Sequence, residues 1–272
     1  NGSVVVGNSA EQGYNQTRIE NVPGDILGFD AETGEFKWKF HVIPRPGEVG
    51  HETWLNDAWK WTGDVSSWAP MSADYDRGIV YIPTNPPTID YFGGFRPGNN
   101  LFGTTVIALD VETGERVWHF QTVHSDEWNY DLPNVPLVVD LEVDGEEIPA
   151  VIQTTKQGLM FTFNRETGEP VWPIEEVEVL QTEVPGNWTA ATQPIPTWPE
   201  PFEPLGLPLE DVVDFTPDLR EQALEIISDY RVGGPYLPRL HEGHNSSVVD
   251  NIRCYGGLNI TNPATLDPST GI

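Results

Sequence analysis

Apolar and polar residues along this chain follow a short period. Ser3-Val-Val-Val-Gly7 and Thr105-Val-Ile-Ala-Leu109 are β-branched or aliphatic runs of five residues, each closed by a turn former, and such runs predict strands rather than helices. The second run ends in Asp110-Val-Glu-Thr-Gly-Glu-Arg-Val-Trp118, and this nine-residue frame recurs. Asp30-Ala-Glu-Thr-Gly-Glu-Phe-Lys-Trp38 precedes it, Asn164-Arg-Glu-Thr-Gly-Glu-Pro-Val-Trp172 follows it, and Asp267-Pro-Ser-Thr-Gly271 begins a fourth copy. In each frame the Asp or Asn side chain is suited to bond turn amides and the Gly supplies positive φ, so a strand turns back into a strand that carries Trp. A Trp at the same place in each of the three full frames predicts docking between neighbouring sheets, as in the radial stacking of four-stranded blades.

The anchors at 30, 110, 164 and 267 lie 80, 54 and 103 residues apart, and a propeller blade takes about 40–50 residues. The reading is an all-β propeller, with residues 1–272 as one partial propeller domain of roughly four to five blades. One stretch breaks the strand rhythm. Residues 185–238 are proline-rich, with Pro194, Pro196, Pro199, Pro201, Pro204 and Pro208 in close succession, and form an insertion that either covers a face of the propeller or decorates its surface. Within it, apolar residues at 219, 223, 224, 226 and 227 give a helical period over Asp218–Tyr230.

Composition narrows the function. With 14 basic and 42 acidic residues the net charge is −28, which opposes a phosphate backbone and excludes nucleic acid as a partner. The acids are dispersed, as on a solvated, self-repelling surface. Cys254 is alone, so the segment has no internal disulfide. No apolar run approaches the ~18 residues needed to cross a bilayer. Asn1-Gly2-Ser3 lacks the features of a signal peptide, so the protein is cytosolic or the start of the gene lies elsewhere. His241-Glu-Gly-His244 has metal-like spacing without a third partner, which favours polar surface groups.

The segments between the frames carry a family resemblance. Trp38-Lys-Phe-His-Val-Ile-Pro-Arg-Pro-Gly-Glu48, Ser67-Trp-Ala-Pro-Met-Ser-Ala-Asp74, Arg96-Pro-Gly-Asn-Asn-Leu-Phe102, Trp118-His-Phe-Gln-Thr-Val-His124, Trp128-Asn-Tyr-Asp-Leu-Pro133 and Thr155-Lys-Gln-Gly158 resemble, in order and spacing, the PQQ-dependent dehydrogenases, especially the glucose-dehydrogenase-like branch. The resemblance implies an eight-bladed propeller in the bacterial periplasm with pyrroloquinoline quinone (PQQ) on its axis, bound to Ca2+. It also implies oxidation of a sugar, polyol or alcohol, with electrons passed to a quinone or a cytochrome. In that chemistry the metal is a Lewis acid, a carboxylate takes the hydroxyl proton, and hydride moves to the quinone.

Residue by residue, the resemblance gives Trp68 as the aromatic floor under PQQ, Lys156 as the cation reaching the quinone, and Asn259 as a further cofactor contact. Glu11, in Val6-Gly-Asn-Ser-Ala-Glu-Gln-Gly13, and Asn85, in Tyr81-Ile-Pro-Thr-Asn-Pro86, are the implied calcium ligands, oxygen donors of the type a hard cation takes. One position departs from the family. Its catalytic Asp is Asn129 here, and an amide can ligate calcium but cannot act as a general base. Three readings stand: Asp131 is the base, with Asn129 a calcium or substrate contact; another carboxylate such as Asp126 serves; or activity has been lost. The last joins an alternative reading of the whole chain, an inactive propeller serving as a protein-binding scaffold.

Overall fold

The frames fold as their side chains dictate. The structure is a computed structural model that describes residues 2–8, 22–241 and 264–267, and the backbone of 247–249. Asp30 Oδ1 accepts hydrogen bonds from the amides of Glu32 (2.9 Å) and Thr33 (2.8 Å), and Asp110 Oδ1 does the same for Glu112 (3.0 Å) and Thr113 (2.8 Å). Asn164 repeats the pattern through Glu166 and Thr167. Gly34, Gly114 and Gly168 have φ of 73°, 71° and 76°, the left-handed region that glycine enters without steric cost.

Each turn joins the last two strands of an antiparallel meander. The first sheet holds β1 (Ser3–Val6), β2 (Ile26–Asp30) and β3 (Phe36–Phe40) in that order. The second is four-stranded: β4 (Ser72–Asp74), β5 (Ile79–Pro83), β6 (Thr105–Asp110) and β7 (Arg116–Gln121). The third holds β8 (Leu137–Val143), β9 (Glu146–Thr154) and β10 (Met160–Asn164). Beside β10 a fourth strand only begins, with Pro170 bridging Phe163 and the Val171 amide bonding Thr162 (2.9 Å). Pro170 lacks the donor a ladder needs.

The second sheet is buried on both faces because it lies between the other two. In β6, Ile107 and Leu109 join a core with Ile26 and Trp38 of the first sheet, while Val106 and Ala108 join one with Val151, Phe161 and Phe163 of the third. Period-two alternation here sorts residues between two interfaces rather than between core and water. Tryptophans lock the seams. Trp38 Nε1 donates to Val111 O (3.0 Å) and Trp118 Nε1 to Arg165 O (2.9 Å), each acceptor being the second residue of the next frame. A Cβ on Gly114 would lie 2.4 Å from the Trp38 ring, and one on Gly168 2.7 Å from Trp118, so the frame glycine also clears space for the neighbouring indole. Buried Asp74 of β4 adds an ion pair to Arg165 (2.7 Å) across the second seam and a local one to Arg77 (3.1 Å) in its own turn.

Between the third and fourth frames the described residues form a two-stranded hairpin, β11 (Ile174–Glu178) with β12 (Thr192–Pro196), and then the rest of the insertion. Three blade sheets are therefore present among the described residues, and of the fourth frame only Asp267 is described. The helix of the insertion is α1 (Pro217–Ile227), opened by Thr216 Oγ1 accepting from the Leu219 amide. It ends before Tyr230, which instead starts β13 (Tyr230–Val232), parallel to β14 (Ser247–Val249). No residue of α1 is buried. The helix decorates the surface, whereas the end of the insertion packs inward: Pro235 O and Leu237 O accept from Tyr130 Oη and Trp128 Nε1, both at 2.7 Å.

Candidate active site

At the ends of the second and third sheets, four of the expected site residues meet. Lys156, in the turn between β9 and β10, has no solvent exposure, and its Nζ donates to Asp131 Oδ2 (3.0 Å) and to the Asn129 carbonyl (2.9 Å). Trp68 Nε1 reaches the same Asp131 oxygen (3.3 Å). Both bonds fall on Oδ2, so among the described residues Oδ1 is the oxygen left to take a proton. Trp68 is 45% exposed, an open aromatic face beside a buried ion pair.

Asn129 and Asp131 share this side for a reason other than strand alternation. Residues 125–131 are a loop, with Ser125 and Asn129 at φ of 46° and 64°. Trp128 and Tyr130 point the other way, into a buried aromatic cluster with Tyr236. Asp126 fixes the turn: its Oδ1 accepts from the Trp128 amide and its Oδ2 from the Tyr130 amide, both at 2.9 Å, and Thr104 Oγ1 also donates to Oδ2 (2.8 Å). Both Asp126 oxygens are thus engaged by the loop's own backbone, unlike Asp131 Oδ1.

Asn85 lies in the same layer. Its amide donates to Ser66 O (3.0 Å), two residues before Trp68, and the Leu132 amide bonds Thr84 O (3.3 Å). Its side chain bonds the Asp64 carboxylate, while its Oδ1 is buried with no hydrogen-bond partner. An unpaired buried amide oxygen is costly in a protein and is the donor type calcium takes, so this residue fits a metal ligand. Glu11, Asn259 and His244 lie outside the described residues. Among the described residues no group of three His, Cys, Asp or Glu side chains is arranged to hold a metal, so the protein oxygens here would have to be joined by others.

Three further residues belong to the site without having been singled out by sequence. Tyr91 Oη accepts from Asn129 Nδ2 (3.2 Å) and so orients that amide. Arg96, fully buried, bonds Asn100 Oδ1 (2.9 Å), Ile89 O (3.1 Å) and the carbonyl of Asp126. Asp90 is 7% exposed. The signal for Arg96 was its place in a family string, but Tyr91 and Asp90 carried none.

Electrostatics follow from burial among like charges. Desolvation raises the Asp131 pKa to about 6, opposed by Lys156 and assisted by Asp126 and Asp64. Desolvation, then Asp131 and Asp126, push Asp90 up to about 7 against the pull of Arg96. A carboxyl raised in the folded state lends stability that is complete below its unfolded pKa near 4 and is lost as pH rises through 7. The full-length protein is thus expected to melt at falling temperature from pH 5 to pH 8. Asp90→Asn should flatten that slope and gain on the order of 1–4 kcal/mol at pH 8. Equal slopes in the two proteins would contradict the assignment.

Comparison with known proteins decides the family. The family model described as "Glucose/ethanol/alcohol dehydrogenase, beta-propeller domain" (PQQ) matches residues 1–272. The chain belongs to this family of PQQ propellers. Among relatives, the glycerol dehydrogenase large subunit of Gluconobacter oxydans is 37% identical over 224 residues, 81% of this chain and 28% of that one. The quinoprotein glucose dehydrogenase of Escherichia coli is 36% identical over 173 residues, 63% of this chain and 21% of that one. A quinohemoprotein alcohol dehydrogenase structure from Pseudomonas putida superposes with a TM-score of 0.55 at 26% identity, covering 72% of this PQQ-family chain and 29% of that one. The chain thus spans less than a third of the length of these relatives.

Proposed function

We propose that the full-length protein is a PQQ- and calcium-dependent dehydrogenase of a sugar, polyol or alcohol, with Asp131 as the base that replaces the family aspartate. The observation that carries this reading is the meeting of Trp68, Lys156 and Asp131 at one point: an open indole face, a buried cation and a carboxylate with one uncommitted oxygen. A scaffold gains nothing from burying an ion pair, whose desolvation costs several kcal/mol per ion. The relatives named for glycerol and glucose favour a polyhydroxylated substrate.

Trp68 would stack on PQQ, Lys156 would hold its quinone oxygen, and Asn85 and Asn129 would offer oxygens to calcium together with Glu11; Asn259 would complete the cofactor contacts. Bound PQQ supplies the acceptor for hydride from the substrate carbon. Asp131 Oδ1 takes the hydroxyl proton, and Lys156 keeps the carboxylate ionised by pairing with Oδ2. Tyr91 holds the Asn129 amide by its nitrogen, which leaves the amide oxygen as the atom that would serve as a ligand. Electrons then pass to a quinone or cytochrome, in the periplasm where the family works.

Loading full-length protein with PQQ and calcium should yield bound quinone absorbance and dye reduction with members of a sugar and polyol panel. Absence of both would overturn the proposal in favour of the scaffold.

A further inference from the structure

Four aspartates, Asp64, Asp90, Asp126 and Asp131, crowd the site, and Asp126 differs from the rest in what it binds. Its two oxygens take three hydrogen bonds, from the amides of Trp128 and Tyr130 and the hydroxyl of Thr104, at 2.8–2.9 Å. Its carbonyl is held from the other side by Arg96, itself buried and clamped to Asn100 in both directions, Nη1 to Asn100 Oδ1 (2.9 Å) and Asn100 Nδ2 to Arg96 O (2.8 Å). Asp126 is 2% exposed and Thr104 and Arg96 are wholly buried, so the clamp is anchored in the fold rather than on the surface.

The clamp grips the alternate residues of the loop. Holding the amides of 128 and 130 sends Trp128 and Tyr130 towards the insertion, where Leu237 O and Pro235 O receive them, and leaves Asn129 and Asp131 facing Lys156, Trp68 and Tyr91. Asn129 sits at φ 64°, in the left-handed region that asparagine enters more readily than other non-glycine residues, and this turns the loop at that point. We propose that Asp126 is the positioning residue of the site: through the two backbone amides it grips, it sets where the Asp131 carboxylate and the Asn129 amide stand, without itself touching substrate or cofactor. This inference rests on the dehydrogenase reading above.

The test uses full-length protein loaded with PQQ and calcium, in wild type, Asp126→Asn and Thr104→Val forms. Asp126→Asn replaces one acceptor oxygen by an NH2 that faces an amide N–H, so the grip on either 128 or 130 is lost. Thr104→Val removes only one supporting bond. Misplacing the base costs turnover, and kcat should fall about 10- to 100-fold in Asp126→Asn and by less in Thr104→Val. KM and quinone content per protein should change far less than kcat, since Trp68 and Lys156 are carried on segments of their own, before β4 and between β9 and β10.

Unchanged kcat in both variants would overturn the proposal. So would a parallel loss of kcat, quinone content and melting temperature in the two, the mark of a general folding role. A wild type that binds PQQ but oxidises no member of the panel would instead remove the dehydrogenase reading on which the proposal stands.

Discussion

Replacing Asp131 by Asn should lower kcat of the full-length, PQQ-loaded protein by about 10²–10⁴-fold, the range a positioned general base contributes. The amide keeps the size of the side chain and can still accept from Lys156 and Trp68, so quinone content should persist while proton acceptance is lost. Before substitution, kcat/KM should fall on the acid side as Asp131 is protonated, its carboxyl raised by burial against the pull of Lys156. Lys156 holds the Asp131 pKa down, so Lys156→Met should move the acid limb to higher pH. The companion Asn129→Asp restores the family residue and serves as control. If Asp131→Asn leaves turnover unaffected, Asp131 is not the base.

Trp118→Ala should be the most destabilising single change away from the site. The indole is 5% exposed, contacts Tyr81 and Phe163 at ring separations of 5.9 and 5.6 Å, and donates to Arg165 O across the seam between the second and third sheets. Losing a buried Trp costs about 3–5 kcal/mol, and the cavity has little means to close because Gly168 offers no side chain to fill it. Val117, its exposed neighbour on β7, gives the reference: Val117→Ala should stay within about 0.5 kcal/mol of wild type. Denaturant melts of the three full-length proteins measure this, and an equal midpoint for Trp118→Ala and Val117→Ala would show that the tryptophans do not lock the sheets.

The parts of this molecule legible from sequence are those whose causes are local. Asp110, Thr113 and Gly114 make a turn by bonding one another, so the frame announced both the turn and the returning Trp. Lys156 and Trp68 were legible as members of family strings, and the structure brings them to one carboxylate. What stayed hidden has no repeated frame to announce it, or depends on contacts distant in sequence. Nothing near Asp126 says that its oxygens are spent on the amides two and four residues ahead, and nothing near Asp90 says that Asp131 and Arg96 lie close enough to shift it.

The insertion divides in the same way. Its helix starts at Pro217, one residue before the apolar period, because Thr216 caps it and proline is preorganised for the first turn. Of the two places the sequence left open for the insertion, α1 takes the surface, with no residue buried. The stretch that does pack against the site, Pro235 to Leu237, contributes the Tyr236 ring and two backbone carbonyls, and the carbonyls leave no trace in composition. Asn187 and Thr189 donate to the buried carboxylate of Glu127, at 2.6 and 2.7 Å, and tie their segment to the 125–131 loop.

The central claim is that the face bearing Trp68, Lys156 and Asp131 holds PQQ. Titrating full-length protein with PQQ in the presence of calcium, and following tryptophan fluorescence in wild type and Trp68→Ala, tests it most directly. The account predicts strong quenching with saturation in wild type, and a binding curve weakened by about 1–3 kcal/mol in the variant, the worth of one aromatic stacking contact on a planar ring. Identical curves for the two proteins would contradict it.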